Sequence, residues 1–386
     1  MLKTIVSAYY CDSYDDEYHV QNIVDKTIKS LGNISDIIKP KSKILIKPNL
    51  LSAYTPDQAV TTHPAVVKAV VKLVKSLGAV PVIGDSPGNL LKGVEYLWKQ
   101  TGMLDLAKEE QVELINFEVS GSVEVSIDHP AIKYIHITKA LIDCDGIINI
   151  PKLKTHTFMG FTGGIKNFYG CIPGARKIEY HKLAPTQQDF SCLLSEIYRM
   201  LKEKVLFTLV DGVIGLEGNG PSLHGEKRKF GIIAGSYDTV SLDTFIFNVL
   251  GGKNKVFLKP LREKNLGNTD LHNIILVGDK LNKFDLKNIK FPVTRILNMV
   301  PRWIAVLIGK HLGKFFWLKP SVDQEKCVAC LQCIKSCPVK AITLIGDGIK
   351  PVVNREKCIS CFCCHELCTH KAVNIEESFL AKFFIK

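Results

Sequence analysis

A chain of 386 residues, 46% apolar and 23% charged, has enough apolar surface for one large or two ordinary cores, which excludes wholesale disorder. Its formal charge of +12 points to anionic partners without choosing among nucleic acid, an acidic membrane, an acidic protein or a small anion. The longest uninterrupted apolar run, WIAVLIG, is far short of the roughly 20 residues that cross a bilayer, so no transmembrane helix is expected.

The N-terminal MLKTIVSAYYCDSYDDEYHV has an apolar run too short for a signal peptide, with acids close behind it, and the cytoplasm is the expected location. From there to about residue 290, strand-like and helix-like segments alternate. KTIVSAYY, KILIKPNLL, AVPVIGDSPG, DGIINIPK, VLFTLVDG, FGIIAGSYD and IILVGD are short apolar runs ended by Gly, Pro, Asn or Asp, as buried strands are. THPAVVKAVVKLVKSLG reads as a helix with Thr62 as N-cap, Pro64 in the first turn, an apolar stripe through Val67, Val70, Val71 and Val74, and Gly78 at its end. TQQDFSCLLSEIYRMLKEK and DTVSLDTFIFNVLGG read likewise. The alternation predicts an α/β domain over residues 1–290 with a mostly parallel sheet.

Ligands of such sheets bind beyond the carboxyl ends of the strands. Those ends carry Lys47-Pro48-Asn49, Asp85-Ser86-Pro87-Gly88, Lys152 and Lys154 with His156, and Asp211 leading to Glu217 and GLEGNGP. The stretch PKLKTHTFMGFTGGIKNFYGCIPGARKIEYHK, Pro151 to Lys182, holds six Lys or Arg, two His, five Gly and one acid, Glu179. A solvated face mixes both signs, so this imbalance reads as an anion pocket in which lysines and glycine backbone N–H groups hold a substrate. Lys152, Lys154, His156, Lys166 and Asn167 are expected to line it, with Lys47, Asn49, Asp85, Asp211 and Glu217 as further substrate contacts. His156 is the expected proton donor, because the reference pKa of histidine lies near neutrality, and Lys166 the second catalytic group. Taken singly, each has a plain alternative as a solvated strand-end lysine or a structural histidine. GFTGGIK is not a nucleotide-binding P-loop, and no G-x-G-x-x-G follows a strand. Phe158, Phe161, Phe168 and Tyr169 interleave with the cations but read as core, and no motif supports nucleic-acid binding.

Residues 291–320 read as an apolar and basic connecting helix from Pro301, with Ile304, Ile308, Leu312 and Phe315 on one face and Lys310 and Lys314 on another. Burial between domains and peripheral membrane contact both remain open for it, as for the tail SFLAKFFIK.

The last segment, 321–386, carries nine of the thirteen cysteines, eight of them in two sets of four. CVACLQCIKSCP holds Cys327, Cys330, Cys333 and Cys337; CISCFCCHELCT holds Cys358, Cys361, Cys364 and Cys368, every one 31 residues later. This duplicated C-x2-C-x2-C-x3-C is the ligand run of two-cluster bacterial ferredoxins, in which the fourth cysteine of each run serves the other cluster. Cys327, Cys330, Cys333 and Cys368 are therefore assigned to one 4Fe-4S centre, and Cys358, Cys361, Cys364 and Cys337 to a second. Zinc sites want two pairs of ligands and not two sets of four. AITLIGDGIKPVVN reads as a hairpin around Asp347-Gly348. Cys363 is off register, a packing residue or outer neighbour of the cluster, and Thr369 stands where the first run has Pro338.

PKLKTHTFMGFTGGIKNFYGCIPG, KPNLL, GDSPG, DGVIGLEGNGP and CISCFCCHELC together resemble the domain of unknown function 362 family, whose longer members end in a bacterial-type ferredoxin module. The resemblance covers nearly the whole chain, with Thr369 departing from the usual Cys-Pro. It implies iron-sulfur binding and redox work in an anaerobic-type metabolism and names no substrate. The expected function is a cytosolic oxidoreductase that takes electrons from a low-potential redox partner protein and passes them through two 4Fe-4S clusters to an anionic substrate. The alternative is an electron carrier whose basic surface docks an acidic redox partner.

Overall fold

The computed structural model describes residues 3–88, 92–253, 256–294, 317–345, 350–379 and 381–382. In chain order the larger part carries β1 (Thr4–Tyr10), β2 (Lys43–Pro48), β3 (Val80–Asp85), β4 (Glu113–Asn116), β5 (Ser122–Ser126), β6 (Tyr134–Thr138), β7 (Gly146–Ile150), β8 (Lys152–His156), β9 (Gly160–Thr162), β10 (Val205–Gly218), β11 (Gly225–Ser236) and β12 (Ile274–Gly278). A 10-stranded sheet runs β12-β1-β11-β10-β7-β2-β3-β4, with β8 paired to β10 and β9 to β8; β5 and β6 form a separate ribbon. Pairing is parallel except where β11 lies antiparallel to β1 and β10, and β9 to β8. The mostly parallel sheet is the one the alternation predicts. β8 and β9 fall inside the basic stretch, whose alternating Lys and Thr do not look like an apolar strand.

Strand alternation sorts the core onto two faces. Ile44 and Ile46 of β2 pack with Val20, Val24, Val67 and Val70 from helices Glu17–Lys29 and Pro64–Ser76. Leu45 points the other way, into the cluster of Phe168 and of Leu193 and Tyr198 from helix Gln187–Leu201. The cap of helix Pro64–Ser76 is His63 and not Thr62: His63 Nδ1 accepts the Ala65 N–H at 3.2 Å. Thr62 instead accepts the Asn49 N–H at 2.8 Å and donates to the Ile150 carbonyl at 2.7 Å, tying the ends of β2 and β7 together.

That join matters, because β3 and β4 extend the sheet on one side of β2 while β7 returns to its other side. Strand order therefore reverses between β2 and β7, where a crevice opens at the carboxyl ends. The short helix Gly164–Asn167 sits over it. Asp243 accepts the N–H groups of Gly164 and Ile165 at 2.7 and 2.9 Å, so these amides are not free for a bound anion as expected from their glycines. The glycines serve close packing: a Cβ on Gly163 would lie 2.2 Å from Asp243 Oδ1, and one on Gly164 would lie 2.5 Å from Thr239 Cγ2.

In the C-terminal part, β13 (Leu318–Val322) pairs antiparallel with β16 (Val373–Glu377), and β14 (Ile342–Leu344) with β15 (Pro351–Val353). The β14–β15 ladder flanks the expected turn at Asp347-Gly348, which itself lies outside the described residues. β13 begins inside the segment expected to be connector. The helix expected from Pro301 lies outside the described residues, as does the end of the tail. Among the described residues no helix is long and apolar enough to cross a membrane.

Gly164→Ala is expected to destabilise the protein by about 1–3 kcal/mol through overpacking against Thr239, read as a lower midpoint in anaerobic urea unfolding.

Candidate functional site

Three of the six Lys and Arg of the basic stretch, Lys152, Lys154 and Lys177, are buried and paired. Lys152 Nζ lies 2.9 Å from Asp211 Oδ2 and donates to Tyr14 Oη at 2.8 Å, both ends of the ion pair fully enclosed. Asp211 also accepts the Tyr14 hydroxyl at 2.5 Å and the His63 N–H at 2.8 Å. Lys47 and Asp85 form a second enclosed pair at 2.7 Å, and Asp85 accepts the Leu50 N–H. Lys154 donates to Asn49 Oδ1 at 2.7 Å and the Val60 carbonyl at 2.8 Å; burial pulls its pKa down to about 7. Lys177 is used up by the Ser86 and Pro87 carbonyls and the Ser86 hydroxyl, and burial brings its pKa to about 8. Only Arg176 and Lys182 of the stretch stand exposed.

A cavity of about 90 Å³ opens at the crevice, room for several waters or a small molecule. Asn49, Asp85, Lys166 and Asn167 line it, four of the residues the strand ends suggest. Lys47 stands behind Asp85. Ser86, Tyr169, Lys177 and His181 join them, and its remaining wall is Cys363, Glu366 and Leu367 from the second cysteine run. Lys152, Lys154, His156, Asp211 and Glu217 do not line it. Glu217 instead pairs with Arg228 at 2.8 Å and accepts the Lys290 N–H.

His156 is a correction. Its Nδ1 accepts the N–H groups of Phe158 and Met159, and burial, with Lys166 and Lys154 adding to it, holds its pKa well below 6.5. The ring is thus neutral near pH 7 with its proton on Nε2, 3.7 Å from Glu366 Oε2, and cannot serve as an imidazolium donor. His181 is likewise neutral, stacked on Phe190 at 4.5 Å with burial lowering its pKa to about 3. Lys166 differs from Lys177, the other lysine of the cavity: it is only half-buried, and among the described residues it has no hydrogen-bonding or ion-pair partner, its Nζ lying over the Tyr169 ring at 5.9 Å. Burial depresses its pKa, while Glu366 and Cys363 act the other way.

The cysteine module repeats its backbone as it repeats its sequence. Ala329, Leu331 and Lys340 take φ of 55, 60 and 52°, and Ser360, Phe362 and Lys371, each 31 residues on, take 55, 60 and 52°. The Ala341 N–H points at Cys337 Sγ at 3.1 Å, and Ala372 at Cys368 Sγ at 3.3 Å, so Thr369 leaves the turn after the fourth cysteine unchanged. One small cavity is lined by Cys327, Cys330, Cys333 and Cys368, the other by Cys337, Cys358, Cys361 and Cys364. Four thiols about each, with N–H groups aimed at sulfur, fit cubane ligation. No three ligands among the described residues converge on a single ion. The two runs differ in burial: Cys333 is the buried cysteine of the first run and Cys330 is exposed, whereas Cys361, Cys363, Cys364 and Cys368 of the second are all buried, Cys363 on the side facing the larger domain.

The contact on that side involves helix Cys363–Glu366. His365 stacks on His224 at 3.7 Å and meets the Asn219 carbonyl through Nε2 at 3.3 Å. Cys363 is thus a cavity wall, a role its off-register position hints at without locating.

A family model described as domain of unknown function (DUF362) matches residues 44–248, a little over half of the chain, and one described as a 4Fe-4S dicluster domain matches residues 319–369. A thylakoid-associated protein of Synechocystis sp. is 33% identical over 225 residues, 58% of this chain and 67% of that one. Among solved structures, the lactate racemase apoprotein of Thermoanaerobacterium thermosaccharolyticum aligns at 13% identity and TM-score 0.39, covering 64% of this chain and 57% of its own. A Thermotoga maritima protein aligns at 16% and 0.38, covering 67% and 61%. The chain spans less than two thirds of either structure.

Two outcomes follow from the geometry. Lys152→Met, which strands Asp211 in the interior, should cost about 3–5 kcal/mol, with much of it recovered in Lys152→Met/Asp211→Asn. Cys363→Ser should keep the iron and acid-labile sulfide content of the parent protein, whereas Cys364→Ser should lose about half.

Proposed function

The chain belongs to the family defined by the domain of unknown function DUF362 and carries a 4Fe-4S dicluster domain, and on that premise we propose that it is an iron-sulfur oxidoreductase passing electrons to a small anionic substrate held at the crevice of its large sheet. The observation that carries the reading is the shared wall of the cavity: one side is the strand-end chemistry of the α/β domain, the other is Cys363, Glu366 and Leu367 from the second cysteine run. A substrate there lies beside the cysteines assigned to the second cluster.

Two 4Fe-4S clusters, one in each set of four cysteines, supply single-electron transfer at low potential when bound. The chain's own residues do the rest. Lys166 offers an unpaired positive charge in a partly water-excluded site and stabilises negative charge on the substrate, more so as reduction adds to it. Lys177 holds the Ser86–Pro87 loop and Lys47 holds Asp85, so both fix the shape of the wall. On this reading a low-potential redox protein docks over the exposed Cys330, with Val328, 58% exposed, beside it, and electrons leave on the side where Cys363 forms the cavity wall.

The carrier reading, in which the basic stretch docks an acidic partner, loses its basis in that stretch, since Lys152, Lys154 and Lys177 are enclosed. The test is anaerobic. The reduced protein is mixed with the small-molecule or the protein fraction of a cell extract, and recovery of cluster absorbance is followed. Small molecules should reoxidise it saturably with little dependence on salt, and Lys166→Met should lower the second-order rate at least tenfold at unchanged iron content. Reoxidation by the protein fraction alone, weakening steeply with ionic strength, would establish the carrier instead.

A further inference from the structure

Resting on the proposed anionic site at Lys166, the apolar part of the cavity wall bears on what the anion is attached to. Leu51, Ile178 and Leu367 line the cavity, the first from the turn after β2, the second from helix Arg176–Leu183 and the third from the cysteine module. Leu51 and Ile178 are only half-buried, so apolar surface is left there for a ligand to cover. Leu51 and Leu367 meet at Gly88, which is itself on the wall and exposed: a Cβ there would lie 3.4 Å from Leu51 Cδ1 and 3.1 Å from Leu367 Cδ2. The Gly88 N–H, donated to the Leu51 carbonyl at 2.9 Å, ties this corner together.

The polar part of the wall offers one free cation. Asp85 is spent on Lys47 and the Leu50 N–H, and Lys177 on the Ser86–Pro87 loop. Glu366 meets only the neutral His156 ring, at 3.7 Å, and its carboxylate opposes a second negative charge on anything bound beside it. We infer that the site takes a singly charged carboxylate carried on an apolar body, aryl or branched alkyl, with the carboxylate at Lys166 and the body against Leu51, Ile178 and Leu367. Phosphate, which carries more charge and no apolar part, matches neither portion of the wall.

The experiment is anaerobic calorimetric titration of the cluster-loaded full chain with benzoate, isovalerate, acetate, benzamide and inorganic phosphate. Benzoate or isovalerate should bind at least tenfold more tightly than acetate, a gain that takes about 55 Å² of apolar surface out of water, less than one aryl ring carries. Benzamide, which has the ring without the charge, and phosphate should each bind at least tenfold more weakly than benzoate. Leu51→Ser should cut the preference for benzoate over acetate at least threefold at unchanged iron content, whereas Lys166→Met should weaken both acids alike. The comparison of ligands on the parent protein needs no variant to fold. Acetate binding as tightly as both larger acids, or phosphate more tightly than benzoate, still dependent on Lys166, would overturn this inference and leave the anion site standing. Benzamide binding as tightly as benzoate would overturn the anion site itself. Failure of every ligand to bind at about 10 mM, above the usual span of KM values, would overturn both.

Discussion

The candidate site depends on one contact, the seating of helix Cys363–Glu366 against the carboxyl ends of the large sheet. The contact is polar and aromatic: the His365–His224 stack, the His365 link to the Asn219 carbonyl and the approach of Glu366 to His156. Where Leu367 comes down, the larger domain presents Gly88, and a Cβ there would stand 3.1 Å from the leucine. The seat breaks the symmetry of two cysteine runs that are otherwise copies. It covers Cys363, leaves Cys330 of the first run exposed, and gives the crevice its far wall.

The second organising constraint is electrostatic. Around the crevice four lysines are driven inside by the topology, and an uncompensated ammonium in a low-dielectric interior is expensive. Lys47 and Lys152 are matched with carboxylates, while Lys154 and Lys177 are matched with oxygens of amides and a hydroxyl. This matching turns half of the stretch's cations into scaffold. Lys166 escapes it: its pKa is depressed by burial, and among the described residues it meets the Tyr169 ring but no hydrogen-bond or ion-pair partner.

Glycine plays a different part from the one its density suggests. Gly163 and Gly164 let a short helix approach Asp243, and Gly170 lets the chain pass Asp85, where a Cβ would stand 2.1 Å from Oδ1. The backbone is thereby brought close to buried carboxylates.

The amino-acid pattern alone determined the α/β class, the parallel strands at KILIK and DGIIN, three of the long helices and the 4Fe-4S dicluster character of the duplicated cysteine runs. These rest on local periodicity and on a duplication that needs no partner from elsewhere in the chain. It also named Asn49, Asp85, Lys166 and Asn167, because strand ends of such sheets carry the ligand. What it could not do was tell Lys166 from Lys152, or a proton donor from the neutral His156. Lys152 is paired by Asp211, 59 positions away, and His156 is held by the amides of its own turn while Glu366 approaches from the far end of the chain. Whether a charge is spent on another residue is a property of distances in space, and only the folded chain sets those.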